Sequence, residues 1–126
     1  YVLGTLKNIT GVNSGSNSTP RLRYVSFERN ALSVQAVRWM ISDLHDIATY
    51  FASKGVRPTI KLRILATKLN PTTMDYQNYQ PTEIFTETTT TTNSGGDTIT
   101  IPDPLEVKFN QMGQGRLYPG FSIELF

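Results

Sequence analysis

The longest regular pattern of apolar positions runs from about Ser33 to Lys54. There Val37, Met40, Ile41, Leu44, Ile47, Ala48 and Phe51 recur at the three- and four-residue steps of one α-helical face. Asn30 or Ser33 can cap its start, and with Ser33 as the cap Leu32 and Val37 take hydrophobic-staple positions. Lys54 suits the negative end of the helix dipole, Gly55 the left-handed residue beyond it, and Pro58 forbids continuation. Leu32, Trp39 and Tyr50 form a second apolar stripe beside the core face, with Arg38, Ser42, His45 and Thr49 behind. That arc is wider than one sheet contact requires. Either the helix is wrapped on two sides, or Trp39 and Tyr50 meet another molecule.

Around this helix the pattern changes to the two-residue period of strands. Val2–Lys7 and Arg21–Glu28 read as strands, separated by a flexible Asn/Ser/Gly-rich loop at 11–20. From Thr59 to Leu69 the residues Ile60, Leu62 and Ile64 alternate with Lys61 and Arg63, and the alternation breaks at Leu65 and Ala66, where a bulge is expected. A polar connector follows from Asn70 to Pro81. Residues 83–101 read as a long hairpin arm with legs Ile84–Thr92 and Asp97–Ile101 and the tip Asn93-Ser94-Gly95-Gly96. Leu105, Val107 and Phe109 alternate as another strand, and Phe121, Ile123 and Leu125 as the last. The economical arrangement is a single α+β domain over 1–126. Its sheet is expected to be mostly antiparallel and sandwich-like, with one amphipathic helix and the hairpin arm.

Length and composition agree with one domain: 126 residues, 38% hydrophobic and only 17% charged, rich in uncharged polar side chains. The absence of cysteine removes thiolate chemistry, disulfides and cysteine-based zinc sites. No apolar run approaches the length of a membrane span, so no membrane partner is expected. Charge is unevenly divided. Residues 1–70 hold ten of the twelve Lys and Arg but only three of the ten Asp and Glu, leaving the first part basic and the remainder acidic. This asymmetry points to a polyanion, or to copies meeting basic face to acidic face, unless folding interleaves the two parts. Arg21, Arg23, Lys61 and Arg63 form a basic stripe if their strands pair, extended by Arg57 and Lys68. That stripe is the basis of an alternative reading as a sheet-based nucleic-acid-binding module.

Catalytic patterns are missing from the sequence. His45 lies between Asp43 and Asp46, but neighbours at i−2 and i+1 diverge on a helix, so it is expected to face solvent with nothing orienting it. The carboxylates fall mostly in turns and at alternating strand positions, where solvated carboxylates are ordinary, and Gly113, Gly115 and Gly120 precede a strand, not a phosphate-cradling helix. Asn8-Ile9-Thr10 and Asn17-Ser18-Thr19 match the glycosylation pattern and, with the Thr/Asn-rich surface, are the only basis for a reading as an adhesive or ligand-binding β domain on a secreted protein. No enzyme activity, cofactor or metal is expected. The most unusual segment is the run Thr86-Glu87-Thr88-Thr89-Thr90-Thr91-Thr92, whose β-branched residues favour a strand yet supply little apolar burial. Such an arm orders best against a neighbour. The plan of sheet, single helix and long loop resembles phage tail-tube subunits. The resemblance implies a non-enzymatic virion-type structural subunit, of a capsid or a phage tail, that partners copies of itself and other virion proteins. On that reading Trp39, Tyr50 and Thr88, Thr89, Thr90, Thr91 and Thr92 are the oligomer contacts.

Overall fold

A computed structural model describes residues 24–126. The expected first strand, the loop at 11–20, both glycosylation patterns, Arg21 and Arg23 lie outside the described residues. The described chain is an α+β fold: β1 (Tyr24–Ser26), α1 (Val34–Ser53), β2 (Ile60–Arg63), β3 (Lys68–Leu69), β4 (Tyr76–Gln77), α2 (Pro81–Ile84), β5 (Thr89–Thr92), β6 (Thr98–Ile101), α3 (Pro104–Asn110) and β7 (Phe121–Glu124).

Helix α1 forms where the periodicity places it. The Ser33 hydroxyl accepts from Ala36 N at 3.1 Å. At the other end Gly55 adopts φ +73°, Gly55 N donates to Ala52 O (3.1 Å) and Val56 N to Phe51 O (2.9 Å). These two bonds satisfy carbonyls the helix would leave open, in the pattern of a Schellman motif. Val37, Met40, Ile41, Leu44, Ile47, Ala48 and Phe51 are all buried. They pack on Ile60, Leu62 and Ile64 from β2 and its continuation, and on Phe121 and Leu125 from the β7 segment, within one core cluster.

The largest sheet overturns the antiparallel expectation. Its order is β1-β2-β7, and both pairings are parallel. Between β1 and β2 the crossover is α1, whose 20 residues return the chain over about 30 Å, at about 1.5 Å per residue, to the end where β1 began; between β2 and β7 it is the whole segment 64–120. In β2, Ile60 and Leu62 point to the core while Lys61 and Arg63 face the other way. The two antiparallel pairs, β3-β4 and β5-β6, are short ribbons outside this sheet. The layer packed on the parallel sheet is therefore α1, and a second stacked sheet is not among the described strands.

Three helices are described in place of the expected one. Leu105, Val107 and Phe109 belong to α3, not to a strand. Asp103 caps it, accepting from Leu105 N at 2.9 Å, and Pro104 occupies its first turn. Leu105 and Phe109, one turn apart, contact the core, whereas Val107 is exposed. Seven residues are too few for apolar spacing alone to separate helix from strand. The first leg of the arm is likewise shorter than expected: Pro81–Ile84 is the small helix α2, and pairing begins only at Thr89. The break at Leu65 and Ala66 is a bend, with Ala66 at φ +53° and its N–H donating to Asn78 Oδ1 (2.7 Å).

Candidate functional site

The hairpin tip follows its sequence chemistry. Asn93 Oδ1 accepts from the backbone N–H of Gly95 and of Asp97, both at 2.9 Å, and Gly96 takes φ +85°. Below the tip, β5 and β6 pair with each other and with no other described strand. The register sets Thr89 opposite Ile101, Thr90 opposite Thr100, Thr91 opposite Ile99 and Thr92 opposite Thr98. Because residues directly opposite share a face, Thr89, Thr91, Ile99 and Ile101 line one side. Thr90, Thr92, Thr98 and Thr100 line the other. All eight are exposed, Ile99 at 42% and Ile101 at 47%. Ile84 and Phe85 are buried at the root, as their apolar character requires, whereas Ile99 and Ile101 are exposed. Of the other residues expected at an oligomer contact, Thr88 is exposed and Trp39 is 57% exposed. Tyr50 is half-buried against the core, edge-on to Phe51, with the Lys54 ammonium 5.7 Å from its ring centroid.

The root of the ribbon is fixed by a buried charge that the sequence does not announce. Asp103, expected among solvated turn carboxylates, is fully buried. Its Oδ2 accepts from an Arg38 guanidinium nitrogen at 2.6 Å and from Glu87 N at 2.9 Å. Arg38 also donates to Ile84 O (2.8 Å) and lies 3.2 Å from a Glu87 carboxylate oxygen. Burial pushes the Asp103 carboxyl upward. The hydrogen bonds from Arg38, Glu87 and Leu105, with the Arg38 charge, outweigh it and hold the group below its ordinary value. Arg38, placed by periodicity on the back of the helix, is thus turned towards α2 and α3.

The expected basic stripe is not a free cationic surface at its described positions. Lys61 Nζ is 2.5 Å from Glu124, and Arg63 bonds Glu28 at 2.7 Å and Glu124 at 3.4 Å. Lys61 holds the Glu124 carboxyl below its ordinary range. Lys68 pairs with Glu83. The strand partners of Lys61 and Arg63 are Tyr24 and Ser26, while Val25, whose parity Arg21 and Arg23 share, pairs with Leu62. Among the described residues, folding thus pairs Arg38, Lys61, Arg63 and Lys68 of the basic first part with carboxylates of the acidic remainder.

His45 also departs from expectation. It is half-buried, with Nε2 at 2.6 Å from Gln111 Oε1 and its ring edge-on to Tyr118 at 5.4 Å. No group of three or more potential metal ligands occurs among the described residues. No described helix is long and apolar enough to cross a membrane.

A cleft of about 410 Å³ opens beside Tyr118. Ala48 of α1 and Phe121 of β7, both buried, lie at its base. One wall is Val56-Arg57-Pro58, directed by the turn that ends α1. The other is Arg116–Gly120, shaped by Gly113 (φ +105°) and Gly115 (φ +76°). The walls meet where Ile60 N donates to Gly120 O (2.8 Å) and where a Cβ on Gly120 would stand 2.4 Å from Pro58 O. Only glycine allows that approach. No pattern in the sequence marked this site, because its two walls are far apart along the chain.

No protein-family model, curated protein or solved structure matches the chain.

Proposed function

We propose that the protein is a non-enzymatic structural subunit of the virion type, a capsid or phage-tail component, that assembles with copies of itself through the β5-β6 ribbon. The observation that carries this reading is a two-stranded ribbon whose eight paired residues are all exposed. An isolated hairpin is marginally stable in water, and its outer edges offer unpaired backbone donors and acceptors. Contact with a neighbour removes both deficits. Ile99 and Ile101 supply apolar area on one face, and the threonine hydroxyls supply polar contact on the other. Closed symmetric oligomers repeat such a contact in every copy. Trp39 adds a further exposed apolar side chain to the surface available for assembly.

The test is sedimentation velocity of the parent beside the double variant Ile99→Asp, Ile101→Asp, with circular dichroism to monitor folding. Both side chains are exposed, so the monomer keeps its fold, and the variant sediments as a monomer at concentrations where the parent forms a discrete oligomer. A variant that assembles like the parent, or a parent that stays monomeric throughout, overturns the proposal.

A further inference from the structure

We propose that the cleft between Val56–Pro58 and Arg116–Gly120 is a binding site for a small amphipathic anion, a carboxylate with a short apolar body. Its volume of about 410 Å³ lies in the range, about 300–1,000 Å³, of small-molecule sites. The lining divides into two chemical parts. Val56, Pro58, Leu117, Tyr118 and Pro119 are the apolar part of the lining, and Arg57 and Arg116 contribute one basic residue from each wall.

Of the described cations without an ion-pair partner, Arg29, Lys54, Arg57, Lys108 and Arg116, two share this cleft, Arg57 and Arg116. Arg38, Lys61, Arg63 and Lys68 are each matched to a carboxylate. Neither Arg57 nor Arg116 has an ion-pair partner among the described residues, and no acidic residue lines the cleft. Residues 1–23 contain no Asp or Glu, so that segment has no carboxylate side chain to offer. A carboxylate ligand entering the cleft supplies a charge complementary to both. A guanidinium recognises a carboxylate through two parallel N–H···O bonds, and apolar walls beside it lower the competing hydration of that contact. The Gly120–Pro58 contact and the Ile60–Gly120 hydrogen bond hold the two walls together before any ligand arrives. Preorganisation of this kind reduces the entropy lost on binding. The site is independent of the β5-β6 ribbon, so its occupancy is readable whether or not the protein assembles.

The experiment titrates the protein with hexanoate, hexanol, acetate and inorganic phosphate, followed by backbone amide chemical shifts and calorimetry. Hexanoate saturates, with shifts concentrated at residues 56–58 and 116–121. Hexanol lacks the charge and acetate lacks the apolar body, so each binds more weakly by roughly tenfold or more, the loss expected when a charge-assisted hydrogen bond or a buried apolar chain is removed. The double variant Arg57→Gln, Arg116→Gln binds hexanoate no better than the parent binds hexanol, and leaves hexanol binding unchanged. Both positions are exposed, and an unaltered melting temperature verifies that the variant is folded. Equal affinity for hexanol and hexanoate, undiminished binding in the double variant, or no saturation up to roughly 10 mM overturns the proposal. Phosphate binding as tightly as hexanoate overturns it too, by showing a bare anion site.

Discussion

At the scale of single residues, the buried Asp103 is the most consequential side chain outside the apolar core. It satisfies an arginine and two backbone N–H groups at once. Replacing it by alanine leaves the Arg38 guanidinium without its principal partner, uncaps α3 and orphans Glu87 N. Loss of one member of a buried pair costs about 3–5 kcal/mol. The Glu87 carboxylate, still beside Arg38, keeps Asp103→Ala near the lower end. A denaturant midpoint shift equivalent to under about 1 kcal/mol, within the range of an ordinary surface substitution, contradicts this role. The sequence held a clue in Asp103-Pro104-Leu105, an N-cap followed by a first-turn proline. Its pairing with Arg38 was not legible, since helical periodicity gives a residue's face but not what docks there. His45 was misread for the same reason: Gln111 and Tyr118 reach it from elsewhere in the chain.

Among the elements, α1 was read nearly whole, because twenty residues of consistent spacing leave one interpretation and both ends carry capping chemistry. Those caps make a quantitative expectation. Ser33→Ala removes the bond to Ala36 N and costs about 1 kcal/mol. Gly55→Ala meets no neighbouring atom within 4 Å but forces a side chain into φ +73°, costing about 1–2 kcal/mol. The sites lie at opposite ends of the helix, so the double variant adds the two losses to within about 0.5 kcal/mol. Urea unfolding of the three variants checks the sum, and a marked shortfall means that the helix ends unravel before the domain unfolds. The short elements were legible only in part. Where a few residues lie outside a long period, as in α2 and α3, tertiary contacts decide between helix and strand. Strand direction in β1-β2-β7 is a property of the crossover, and no strand carries it in its own residues.

For the whole molecule, acid and base act on different groups, and their signs can be worked out. Hydrogen bonding with Arg38 and two backbone N–H groups outweighs burial at Asp103, Lys68 lowers Glu83, and Lys61 lowers Glu124. Each carboxyl therefore takes up its proton at lower pH in the native state than in the unfolded chain. Their stabilisation is complete above the ordinary carboxylate values of 3.8 and 4.5. It declines as pH falls through those values towards the native ones. Burial raises the Tyr79 hydroxyl above its ordinary 10.0, so its contribution is present below that pH and lost as pH rises through the native value. Thermal melting across pH should give a plateau bounded by an acid and an alkaline decline. Asp103→Asn should blunt the acid arm, and an acid arm identical to the parent's means that Asp103 is not among the groups producing it. The interleaving of charge also sets what a polyanion can find, since Lys61 and Arg63 already hold carboxylates. Glu87 precedes β5 by two positions and Asp103 follows β6 by two, and both are fastened to the same guanidinium on α1. In the assembly proposed above, a pull on the ribbon tip would load the Arg38 contacts together with the buried Ile84, Phe85 and Leu105 at its root.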